Sequence, residues 1–139
     1  MSINRPHRFE WQPAVTDGAS CSTGMYKFRG MRVLVVERSW HVAKALKSLL
    51  EDLGITVPGL AGTVEDAERL MEKQVFDLAL VDIDLTNHKD TLMKRFNERG
   101  VDVIALSGYP VAQRSILNAG LILRKPVTRR ELQAALTKL

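Results

Sequence analysis

The chain has a single cysteine, Cys21, among 139 residues. An internal disulfide is therefore excluded, and so is any zinc site built from cysteine thiolates. One free thiol fits a reducing compartment. No apolar run approaches the roughly 18 residues that a membrane span requires, and no apolar stretch of secretory-signal type follows Met1. These absences predict a cytoplasmic protein with no membrane contact. Basic residues outnumber acidic ones by four, but they are scattered among acids rather than gathered in a block. The N-terminal stretch also lacks a Lys/Arg cluster, so nucleic acid is not the expected partner. His41 and His88 lie in different elements with no companion ligands at metal-binding spacing, and neither is assigned a role. Internal repeats and low-complexity tracts are absent.

The length suits one domain, and 45% apolar residues suffice for one core. Composition changes near residue 30. Residues 1–30 carry Pro6, Pro13, Gly18, Gly24 and a cluster of Ser20, Ser22 and Thr23, without apolar periodicity. They are expected to form a flexible extension to a domain spanning 31–139. Phe9, Trp11, Tyr26 and Phe28 are the residues there that could dock on the domain or on a partner.

From Met31 onward, short β-rich runs alternate with segments of helical period. "MRVLVV" (31–36) predicts a buried strand. Ser39 then caps a helix whose apolar stripe is Val42, Ala45, Leu46, Leu49, Leu50 and Leu53, ending at Gly54. Residues 55–62 carry Pro58 and predict an edge strand, with a helix starting at Thr63. Further strands are expected at 77–83, 101–107 and 121–124. Helices are expected at 90–99, after Pro110, and from Thr128, whose pairing with Glu131 three residues on is a capping-box pattern. Trp40 is expected to pack at its helix start. Five strands joined by helices imply an α/β fold with a doubly wound, five-stranded parallel sheet, because parallel neighbours need crossover connections. Ligands bind such sheets beyond the carboxyl ends of the strands. Those ends carry Glu37 and Arg38, Asp82 with Asp84 beyond it, Ser107, and Lys125 followed by Pro126.

These residues, in this order and with Glu37 preceding Asp82 by 45 positions, resemble the receiver domain of two-component response regulators over about residues 31–139. "ALSGYP" and "LILRKPV" further resemble the FAT GUY subgroup, with Ala105 where that motif has phenylalanine. The resemblance implies the flavodoxin-like (βα)5 receiver fold. It implies that Asp82 is a phosphoacceptor, that Lys125 neutralises charge beside it, and that Ser107 bonds a phosphoryl oxygen. It also implies a Mg²⁺ held by acids after strand 1, by Asp82 and by the backbone carbonyl of Asp84. A cis Lys125–Pro126 bond is implied as well. The expected role is that of a phosphorelay protein, not an enzyme, ending after its last helix and signalling by contact. A histidine kinase or phosphotransfer protein is the expected partner, and a second copy of the chain is another.

The chain departs from the pattern where the direct metal-binding acid is expected, since it has Arg38. A guanidinium cannot coordinate a cation. Three readings stand open: a working receiver with weak metal dependence through Glu37 and Asp82, a pseudo-receiver that binds partners without phosphorylation, or an Arg38 that simply faces solvent. Ile122 stands where many relatives have an aromatic switch residue, and Asn87 lies in a loop that often holds Pro and Gly. Tyr109 reads as a packing residue, and the Asp84 side chain as a solvated loop acid.

Overall fold

The computed structural model describes residues 28–84, 89–108 and 121–139. Among these described residues nine elements follow one another: β1 (Arg32–Val36), α1 (Trp40–Asp52), β2 (Thr56–Ala61), α2 (Val64–Lys73), β3 (Leu78–Asp82), α3 (Lys89–Glu98), β4 (Asp102–Ser107), β5 (Leu121–Arg124) and α4 (Arg129–Thr137). The helix expected after Pro110, Tyr109, Asn87 and His88 lie outside the described residues.

All strand pairings are parallel, in the order β2-β1-β3-β4-β5. The chain winds outward from β1 to β2, then crosses back to place β3 on the other side. The reversal leaves a crevice at the carboxyl ends of β1 and β3. β3 is buried at all five positions because helices cover both faces of the sheet. One face packs Val33, Val35, Leu78 and Leu80 against Leu46 and Leu50 of α1 and Leu132 and Leu136 of α4. The other packs Leu34, Val36, Ala79 and Val81 against Ala67 and Met71 of α2 and Leu92 and Phe96 of α3. Successive residues of one strand thus serve opposite cores, which is the period-two geometry of a strand.

Caps explain where the helices begin. Ser39 Oγ accepts the Val42 N–H, and Thr63 Oγ1 accepts the Asp66 N–H. Thr128 and Glu131 form the full reciprocal capping box. At the edge, β2 skips a residue against β1 between the Arg32–Thr56 and Leu34–Gly59 pairs. Pro58, which has no N–H to give a ladder, sits in that irregularity. Gly59 beside it packs closely on α2, since a Cβ there would lie 2.8 Å from Leu70 Cδ1 and would make that half-buried side chain shift.

Three expectations need correction. Phe28, placed in the extension, is fully buried in the core with Val33 and Leu132, and its carbonyl accepts the Met31 N–H. It is one of the aromatics named above as able to dock on the domain, and an isolated aromatic in polar sequence gives no periodic signal that singles it out. Trp40 does not pack at the start of α1; it is 61% exposed. Ala45, counted in the apolar stripe of α1, is exposed, and Val42 and Leu49 beside it are only half-buried.

Candidate functional site at the carboxyl ends of the strands

Only three polar or charged residues are buried among the described residues: Glu37 (3% exposed), Asp82 (2%) and Ser107 (1%). All three end parallel strands at the same edge of the sheet. β1 hands the chain to Glu37, whose N–H still bonds the Ala61 carbonyl of β2. Asp82 is the last residue of β3, in register with Leu106, so Ser107 lies one step beyond it on β4. Lys125 follows β5, and its N–H bonds the Ser107 carbonyl at 2.7 Å, which fixes where its side chain starts.

The Lys125 side chain brings the acids together. Its Nζ lies 2.9 Å from Glu37 Oε1 and 3.2 Å from Asp82 Oδ1. Burial disfavours the ammonium, but its contact with the Glu37 carboxylate and the negative charges of Asp82 and Glu37 outweigh it, so the Lys125 pKa is raised above its ordinary 10.5. The Lys125–Pro126 bond is cis. Glu37 Oε1 has no aligned hydrogen bond, so its contact with Lys125 is one of charge rather than of direction. Glu37 Oε2 accepts the Ser39 N–H at 3.0 Å. Asp82 Oδ1 also accepts the Asp84 N–H at 2.9 Å.

Asp84 does more than the sequence suggested. Its side chain is half-buried, and Oδ2 accepts the Gly108 N–H at 3.2 Å, tying the loop after β3 to the loop after β4. Nothing in the sequence pairs these two loops, because the bond spans 24 residues. Arg38 is exposed and forms no ion pair among the described residues. Of the readings open for Arg38, this placement matches the one in which it faces solvent; the cation beside Asp82 is Lys125. Ile122 is half-buried on β5, and His41 is exposed.

The arrangement fits a resident Mg²⁺ poorly. Mg²⁺ demands six hard ligands in near-octahedral order. Here both buried carboxylates already hold an ammonium, the adjacent position carries an exposed arginine, and no three acidic, histidine or cysteine side chains converge among the described residues. What the pocket offers is an anionic oxygen next to a fixed positive charge. Such an oxygen can act as a nucleophile toward an electrophile that is itself anionic, because the ammonium lowers the repulsion between them.

Comparison with known proteins bears on the family and the fold. No curated protein sequence matches the chain. Among solved structures, a CheY-like receiver domain from Methanospirillum hungatei JF-1 is 28% identical, with TM-score 0.68, over 78% of this chain and 91% of that one. A CheY-like receiver domain from Methylobacillus flagellatus shares the fold at 23% identity and TM-score 0.68, over 78% and 97% of the two chains. The receiver domain of an HD domain-containing protein from Pseudomonas fluorescens Pf-5 does so at 24% identity and TM-score 0.69, over 79% and 94%. Residues 33–137 match the family model described as the response regulator receiver domain. That span runs from β1 to the end of α4 and takes in Glu37, Asp82, Ser107 and Lys125, so the chain belongs to the response regulator receiver family of two-component signalling.

Proposed function

We propose that the chain accepts a phosphoryl group on Asp82 from a histidine kinase or a phosphotransfer protein, in the cytoplasm, and passes the signal on through protein contacts. The observation that carries this reading is a carboxylate at the carboxyl end of β3, almost wholly buried, with one ammonium 3.2 Å away. In the transfer, an Asp82 oxygen forms a bond to phosphorus as the bond from phosphorus to the donor imidazole nitrogen breaks. The imidazole leaves with the electron pair and takes up a proton. Lys125 offsets the charge that builds on the transferring group. Ser107, one register step beyond Asp82, carries the hydroxyl that bonds a phosphoryl oxygen in this reading.

Receiver domains typically bind Mg²⁺ at their acidic pocket. With Arg38 in place of an acid, this pocket relies on Lys125 for positive charge and takes Mg²⁺ weakly through Glu37, Asp82 and the Asp84 carbonyl. The same substitution favours a second reading, a pseudo-receiver that binds its partners without being phosphorylated.

Intact mass spectrometry separates the two. Incubation with acetyl phosphate, or with a phosphorylated histidine kinase, should add the mass of one phosphate, labile to alkali and hydroxylamine. Asp82→Asn should abolish the adduct. Absence of the adduct with both donors would overturn the phosphoacceptor reading in favour of the pseudo-receiver.

A further inference from the structure

A ring of contacts starts and ends on one oxygen of the acid pocket. Asp82 Oδ1 accepts the Asp84 N–H at 2.9 Å, and Asp84 Oδ2 in turn accepts the Gly108 N–H at 3.2 Å. That N–H belongs to the peptide unit whose carbonyl, on Ser107, accepts the Lys125 N–H at 2.7 Å. The Lys125 side chain then returns to Asp82 Oδ1 at 3.2 Å. The Ser107–Gly108 peptide is therefore gripped on both sides, by Lys125 through its oxygen and by Asp84 through its nitrogen, and both grips lead to the same carboxylate.

The links differ in what can loosen them. The Lys125–Ser107 bond joins two backbones where β4 and β5 run side by side, and it is the shortest of the ring. The Asp84 N–H is backbone too, held by a carboxylate that is almost wholly buried. The Asp84–Gly108 link is different: an anionic side chain, half-buried, reaches an exposed residue. A Cβ at Gly108 would stand 3.4 Å from the same Asp84 oxygen, so the carboxylate lies close over this backbone. Asp84 is also an acid two residues from another acid, and like charges at close range disfavour each other. The Gly108 N–H offsets that repulsion by giving the carboxylate a charge-assisted hydrogen bond.

We propose that Asp84 is a charge-sensitive latch, which holds the Ser107–Gly108 peptide in its resting position and lets go when negative charge increases on Asp82. An Asp82 carboxylate carries one negative charge, whereas a phosphoryl group in its place carries up to about two at neutral pH. The added repulsion falls on the Asp84 carboxylate, and its link to Gly108 is the one in the ring that yields. Ser107 directly precedes Gly108, so a Ser107 hydroxyl drawn to a phosphoryl oxygen moves the same peptide unit. Asp84 is thus a positioning residue that acts through Gly108. Because Gly108 is exposed, its release changes the surface that a partner meets. The response to a phosphoryl group rests on the phosphoacceptor reading; the coupling between charge at position 82 and Gly108 does not.

The Gly108 amide of the full chain, followed by ¹H–¹⁵N NMR, reads the latch directly. Asp84→Ala and Asp84→Asn both remove the charge, but only the second keeps an acceptor, so Gly108 should exchange with water several-fold faster in Asp84→Ala. Asp82→Asn keeps the oxygen that holds the Asp84 N–H and removes the neighbouring charge. It should move the Gly108 amide proton downfield, toward a stronger bond, and that displacement should shrink several-fold when Asp84→Asn is added. A purely structural tie would respond equally in both backgrounds. With acetyl phosphate, the Gly108 resonance should leave its resting position several-fold further in the wild type than in Asp84→Asn. Equal exchange in the two Asp84 variants, or an Asp82→Asn displacement that ignores the Asp84 charge, overturns the latch. A phosphate adduct confirmed by mass, with Gly108 moving equally in both proteins, also overturns it while the phosphoacceptor reading stands. Absence of any adduct overturns that reading instead, and the exchange and Asp82→Asn measurements then decide the latch by themselves.

Discussion

The two ends of β3 hold similar charges to opposite effect. At the amino end, Asp77 Oδ2 accepts the Arg32 N–H at 2.9 Å, and the Arg32 guanidinium donates to the Val75 carbonyl and to Gln74 Oε1. Backbone bonds run from Asp77 N–H to the Arg32 carbonyl and from Asp102 N–H to the Asp77 carbonyl. Each group there has a directed partner, and the cluster ties β1, β3 and β4 together. At the carboxyl end, two carboxylates share one ammonium, and one buried oxygen lacks an aligned hydrogen bond. The amino end is finished as a structure. The carboxyl end carries more negative charge than it neutralises, which is the condition for taking up something cationic or for reacting with an electrophile.

The sharpest way to break this contrast is Lys125→Met. It leaves Glu37 and Asp82 buried without a counter-charge, so urea unfolding at pH 7 should show a loss of about 3 kcal/mol. Adding Glu37→Gln should restore much of that loss by removing one of the stranded charges. If the single substitution is neutral, the ammonium does not hold the acids.

Alkaline titration gives the next largest effect. Because the Lys125 pKa is raised in the fold, its contribution is fully present below the unfolded value of about 10.4 and is lost as pH rises through the raised folded value. Wild-type protein should lose stability above about pH 10.4 more steeply than Lys125→Met does. Parallel curves in denaturant unfolding would contradict the assignment.

At the amino end, Asp77→Ala removes one acceptor from a half-buried N–H. The expected cost is about 1 kcal/mol, with phosphate uptake on Asp82 unchanged in the mass assay. A loss of uptake there would show that the two ends are not independent.

Arg38→Asp should change stability least, within about 0.5 kcal/mol, since the side chain is exposed and unpaired among the described residues. Its effect is on metal. With Trp11→Phe as background, Trp40 fluorescence should respond little to millimolar Mg²⁺ in the parent and saturably in Arg38→Asp, which restores a hard oxygen ligand. Equal affinity in both would mean that position 38 has no bearing on the metal.

Much of the fold could be read directly from the sequence because its signals are local. β5 occupies Leu121–Arg124 as the run "LILR" indicated, and Ser39, Thr63 and Thr128 cap the helices expected of them. The position of Asp82 at the end of β3 followed from an apolar run that stops at an acid. What was hidden was non-local. That Phe28 joins the core, that Asp84 reaches Gly108, and that α1 leaves Ala45 uncovered all depend on chain segments distant in sequence. The readings of Arg38 stay open in the sequence for a related reason: position along the chain gives its distance from Asp82 in residues, but not the direction of its side chain.

Pro58 has a consequence at another scale. An open sheet ends in a strand with unpaired amide groups, which can template a strand from another molecule. Along β2, the skipped residue breaks the regular ladder and Pro58 deletes one donor from it. A second chain laid against that edge would meet a gap and a bend rather than a continuous row. In a crowded solution the rim of the sheet is thereby guarded against fibre-like stacking by a single residue that contributes no charge.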